Sequence, residues 1–141
     1  HRKYSESLKK NRDFRKVYRR GTSAAERYFV MYVLRNGTDR NRLGISVSKK
    51  VGNSVVRHHI CRLVRESYRL RETNFRPGYD IILMARPDAS GCTQREVSDS
   101  LYRLGGRLHV ILPDDQNKTV PDDARKTESE NRFQNKGEEN I

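Results

Sequence analysis

Between residues 49 and 69 the sequence gathers Lys49, Lys50, Asn53, Arg57, His58, Arg62, Arg65 and Arg69. Wound at about 100° per residue, residues 55–71 place His58, Arg62, Arg65 and Arg69 on one side, with Arg57 at its edge. Opposite them Val56, Ile60, Leu63, Val64 and Leu70 make an apolar stripe. Like charges one turn apart cost a helix about 0.2–0.5 kcal/mol per pair. A polyanion turns that cost into a gain, and the planar guanidinium fork matches phosphate oxygens. A solvated face usually mixes acids with its bases, yet Glu66 is the one acid in mid-helix. The preceding loop adds Lys49, Lys50 and Asn53, and Gly52 lets its backbone turn or approach a phosphate. Amides at the helix start, near Ser54 to Arg57, extend the anion site.

Phe14, Tyr18 and Tyr32 are a second candidate group. Bases of single-stranded RNA stack on such rings, while plain hydrophobic core is the ordinary alternative. Hydrolytic chemistry by the protein itself is not expected, because a nuclease needs clustered carboxylates for metal ions and the acids here are scattered. No zinc is expected either: His58 and His59 splay about 100° apart on a helix, and Cys61 lacks ligand spacing.

These groups need elements to hold them. Residues 1–10 read as a loose basic arm. Asn11 suits the N-cap of a helix to Arg20, with Gly21 at its C′ position. Residues 27–35 form a strand apolar on both sides, hence central. A turn at 36–41 leads to a second strand, 42–48, with Leu43, Ile45 and Val47 inward and Gly44, Ser46 and Ser48 outward. After the 55–71 helix comes a strand from Tyr79 to Ala85. Thr93 and Glu96 make a capping box for a last helix, with Val97, Leu101 and Leu104 on its buried face and Gly105-Gly106 as its end. The order is helix, hairpin, helix, strand, helix, an α+β pattern.

Charge divides the chain. Residues 1–112 hold 25 basic and 10 acidic residues; residues 113–141 hold 5 and 8, within a net charge of +12. One domain over 1–112 and a disordered acidic tail over 113–141 are expected. A basic body favours nucleic acid over an anionic membrane surface, and no apolar run reaches the ~20 residues of a membrane span. Cys61 and Cys92 are too few for a disulfide scaffold, which fits free thiols in the cytoplasm.

The run Val47-Ser48-Lys49-Lys50-Val51-Gly52-Asn53-Ser54-Val55-Val56-Arg57, followed by Ile60, Arg62, Leu63, Arg65 and Glu66, resembles the signature of the bacterial ribonuclease P protein subunit. Asn11 to Tyr18 with Arg20-Gly21, and Phe29-Val30-Met31-Tyr32, resemble that family's first helix and first strand. The resemblance runs colinearly over about residues 7–112. It departs at His58, His59 and Cys61, where the family usually carries Asn, Arg and Lys.

The resemblance implies a two-layer sandwich: a four-stranded mixed sheet with three helices, ribosomal protein S5 domain 2-like, with a left-handed βαβ crossover. It implies a partner, ribonuclease P RNA, that hydrolyses precursor tRNA with Mg²⁺ held mainly by the RNA. The protein would bind that RNA through Lys49, Lys50, Arg57, Arg62 and Arg65, to which the residues themselves add Asn53, His58 and Arg69. The precursor's 5′ leader would lie in a cleft lined by Phe14, Tyr18 and Tyr32, with Ser46 and Ser48 beside them. No membrane and no obligate protein partner are expected. The competing reading is a ribosomal-type or general RNA-binding protein.

Overall fold

The structure is a computed structural model that describes residues 5–113. The elements run β1 (Ser5–Ser7), α1 (Asn11–Arg20), β2 (Thr22–Ala25), β3 (Phe29–Arg35), β4 (Asn41–Ser46), α2 (Ser54–Arg71), β5 (Tyr79–Ala85) and α3 (Gln94–Arg107). The expected α+β class and three helices are present.

The sheet has five strands, in the order β1-β4-β5-β3-β2, not four. The additional strands are short and carry little periodic signal. β1 has three residues, inside the segment expected to be a loose arm, and pairs parallel to β4. Ser5 Oγ lies 2.8 Å from the Tyr68 hydroxyl, and Leu8 is buried, so the arm is anchored from Ser5 onward. β2 has four small residues and pairs antiparallel with β3.

The expected hairpin of residues 27–35 and 42–48 does not form. β5 lies between the two, antiparallel to β3 and parallel to β4. Burial decides this. Ile81, Ile82 and Leu83 are all 0% exposed, and a strand apolar on both faces belongs in the middle of a sheet. The chain therefore leaves β4, crosses through α2 and returns as β5, making a βαβ unit of adjacent parallel strands.

The pleat sends alternate side chains to opposite faces. Phe29, Met31, Val33, Ile81 and Leu83 join α2 and α3 in the larger core. Val30, Tyr32 and Ile82 meet Leu8 and Val17 on the other face, under α1. On α2 the stripe of Ile60, Leu63, Val64 and Tyr68 is buried, each side chain contributing about 1.5–3 kcal/mol. Leu70, expected in that stripe, is exposed at 74%. Two helix ends also differ from expectation. Lys10, not Asn11, is the N-cap of α1. Gly105 and Gly106 lie within α3, where a Cβ on Gly105 would sit 2.9 Å from Ile111 Cδ1. The 113–141 tail lies outside the described residues except for Pro113.

Candidate RNA interface

Two surfaces carry the residues singled out in the sequence, and they lie on opposite faces of the sheet. The first is the outer side of α2. Its N-terminus is set by Asn53, whose side-chain oxygen accepts a 3.0 Å hydrogen bond from the Val56 amide. That bond uses one of the amides the sequence offers to an anion, so Asn53 has a structural task here. His58, Arg62, Arg65 and Arg69 are all exposed. Arg62 Nη2 approaches His59 Nδ1 at 3.3 Å. Among the described residues no ion pair engages Arg57, Arg62, Arg65 or Arg69. Arg57 lies half-buried at the edge, and its Nε is shielded from water without a hydrogen-bond partner. Such an orphaned donor beside an open cationic ridge is the kind of group an incoming phosphate satisfies.

Lys49 and Lys50 are exposed in the turn that joins β4 to α2. Ser48 belongs to that turn, not to the strand. β4 ends at Ser46, and Ser48 accepts the Lys50 amide through Oγ (3.3 Å) and the Val51 amide through its carbonyl (3.1 Å). Ser48 is thus near the lysines and apart from the β4 positions it was grouped with.

The second surface is the face of the sheet under α1. The register aligns Gly44, Ile82 and Tyr32 in one row, and Ser46, Met84 and Val30 in the next. Phe14 fits into the first row only because Gly44 has no side chain: a Cβ there would stand 2.6 Å from Phe14 Cζ. Tyr18 stands edge-on to Tyr32, with ring centroids 4.8 Å apart and planes at 82°. Phe14 and Tyr18 are half-exposed, as are Ser46 and Met84 beside them. Together they form an aromatic and thioether shelf along α1. Tyr32 differs from its expected place in the lining. It is buried (4% exposed) beneath Tyr18, and burial raises its hydroxyl pKa. It braces the shelf and does not face outward.

Sequence reasoning missed Met84 and the ion cluster that ends the shelf. Arg42 donates to Asp80 through Nε (2.8 Å) and Nη2 (2.7 Å), and its Nη1 reaches Asp13 of α1 at 3.4 Å. The hydrogen bond to Asp80 is the main reason the Arg42 pKa is raised. This cluster ties β4, β5 and α1 together. Its signal was present: Asp80 is the one charge in the otherwise apolar run from Tyr79 to Ala85, and a buried carboxylate calls for a cation such as Arg42.

The described residues contain no group of three or more His, Cys, Asp or Glu placed to hold a metal ion. Cys61 and Cys92 are unpaired. No described helix is long and apolar enough to cross a membrane.

A family model for ribonuclease P matches residues 3–109. The ribonuclease P protein component of Lachnoclostridium phytofermentans is 53% identical over 108 residues, covering 77% of this chain and 92% of that protein. The RNase P protein of Staphylococcus aureus superposes with a TM-score of 0.69 at 39% identity, covering 78% of this chain and 99% of its own. That of Thermotoga maritima gives 0.67 at 33%, covering 72% and 96%. The sequence signature around α2, the aromatic strand β3 and the five-stranded sheet thus all point to one lineage, and the chain belongs to the bacterial ribonuclease P protein family.

Proposed function

We propose that this protein docks on ribonuclease P RNA through the outer side of α2 and holds the 5′ leader of precursor tRNA on the shelf beside α1, assisting removal of that leader. The observation that carries this reading is the exposure of Arg62, Arg65 and Arg69 in a row opposite a buried stripe, with no acid paired to them among the described residues. Lys49, Lys50 and the orphaned Nε of Arg57 extend the row toward the start of the helix. Affinity from such a ridge is dominated by counterion release. On the far face Phe14 and Tyr18 offer rings to single-stranded bases, and Met84 and Ser46 lie alongside.

Phosphodiester hydrolysis by ribonuclease P draws on Mg²⁺. In this reading the metal is held mainly by the RNA, and this chain has the tasks of binding and positioning. The compartment consistent with that partner is the cytoplasm.

Reconstitution tests the reading. The protein is added to a bacterial ribonuclease P RNA at low Mg²⁺, and cleavage of precursor tRNA is measured. Stimulation that depends on the leader is the expected result. Binding without stimulation, or stimulation indifferent to the leader, indicates a general RNA-binding protein instead.

A further inference from the structure

The outer face of α1 carries a second cationic ridge that the assignments above leave unused. Arg12, Arg15, Lys16, Arg19 and Arg20 are all exposed. At about 100° per residue they span an arc of about 140°, centred opposite Phe14, Val17 and Tyr18, which face the sheet. The one acid of α1, Asp13, is turned to Arg42. Among the described residues no ion pair engages any of the five cations. Arg19 and Arg20 gain from the helix C-terminus, but Arg12, Arg15, Lys16 and Arg19 repel one another at spacings of three and four residues.

This ridge and that of α2 are on opposite sides of the sheet, because α1 packs on Tyr32 and Ile82 while α2 and α3 pack on Met31, Ile81 and Leu83. A surface docked flat against the outer side of α2 faces away from α1. The α1 ridge therefore needs its own polyanion, and the nearest is the strand on the adjoining shelf. Phe14 and Tyr18 are on the same helix as the ridge, so a strand that leaves those rings upstream has only the ~10–12 Å width of one helix to pass before its phosphates meet the α1 cations.

We infer that the outer face of α1 binds the phosphates of the precursor leader upstream of the nucleotides on the shelf. This rests on the leader assignment made above and extends it to leader length. The holoenzyme is reconstituted with wild-type protein or with Arg12→Gln/Lys16→Gln/Arg19→Gln, and three substrates are compared: mature tRNA, a precursor with a leader of about five nucleotides and one of about twenty, the first near the lower end and the second beyond the upper end of the ~4–16 nucleotides covered by an OB-fold module.

For the wild type, lengthening the leader raises affinity. For the variant, affinity for the long-leader precursor falls about tenfold, and its salt slope shrinks by ~0.7 per lost phosphate, while the other two substrates bind as before. Arg12→Lys/Arg19→Lys keeps the charge and retains wild-type binding, which separates charge loss from misfolding. Equal loss on all three substrates, no loss on any, or a wild type indifferent to leader length each overturns the inference. If the wild type does not distinguish the short-leader precursor from mature tRNA, the shelf assignment itself fails and takes this one with it.

Discussion

Tyr18 and the buried Tyr32 meet in a T-shaped contact, with centroids 4.8 Å apart and planes at 82°. One ring is available to a ligand and the other supports it. Tyr18→Ala is expected to weaken binding of leader-bearing precursor by about 1–3 kcal/mol, the worth of one stacked base, and to leave mature tRNA unaffected. Tyr32→Ala opens a cavity and is expected to cost about 3–5 kcal/mol of stability, read as a lower urea midpoint. If Tyr18→Ala lowers affinity for both substrates equally, its ring is only packing.

Removing charge from α2 tests the other surface. Arg62→Ala with Arg65→Ala is expected to flatten the plot of log affinity against log salt by ~0.7–0.9 per lost phosphate contact. Both side chains are exposed and neither joins an ion pair among the described residues, so the melting temperature stays within a few degrees. A slope equal to the wild type in the folded variant rejects α2 as the docking helix.

The Arg42 cluster makes a prediction about stability. Asp80 is almost fully buried and Arg42 about one-third exposed, with side-chain exposures of 5% and 34%. Asp80→Ala leaves the Arg42 guanidinium with only the longer, 3.4 Å pair to Asp13. The usual 3–5 kcal/mol for breaking a buried pair is reduced by the access of water to Arg42, giving about 1.5–3 kcal/mol. Asp80→Ala with Arg42→Met is expected to recover part of the loss. A double variant no more stable than the single shows that the cost lies elsewhere.

The two thiols differ. Burial pushes the Cys92 pKa up to about 11, so at pH 8 almost none is thiolate, whereas Cys61 is half-exposed on α2. Iodoacetamide on the folded protein is expected to modify Cys61 well before Cys92. The sign for stability follows: the unfolded thiol ionises first, so the stability held below the ordinary thiol pKa is lost as pH rises from about 9 toward 11. Equal alkylation rates at pH 8 contradict the burial.

Much of this was readable from residue order because the relevant patterns are local. The stripe of Ile60, Leu63 and Val64 and the opposite arginines repeat at helical spacing, and Thr93 with Glu96 forms the capping box its spacing announces. Pairing is not local. Nothing in residues 27–48 reveals that β5 will come between their two strands; only the apolar character of Ile81, Ile82 and Leu83 on both faces hints at it. β1 and β2 escape notice because three and four residues are too few for a period to emerge. Tyr32 belongs to the lining by resemblance alone, and its burial matches the ordinary core alternative; alternation assigns a face but not a depth, and Tyr18 covers it. Ser48 was grouped there because alternation was carried two residues past the end of the strand.

The insertion of β5 has a consequence for synthesis. A ribosome emits the chain from its N-terminus, so α2 emerges before the strand that joins the two halves of the sheet. Until residues 79–85 are out, β3 and β4 share no partner, and the apolar side of α2 lacks Ile81 and Leu83 beneath it. A nascent chain therefore has its arginines before it has the scaffold that aligns them, and the ordered ridge waits for the last third of the domain.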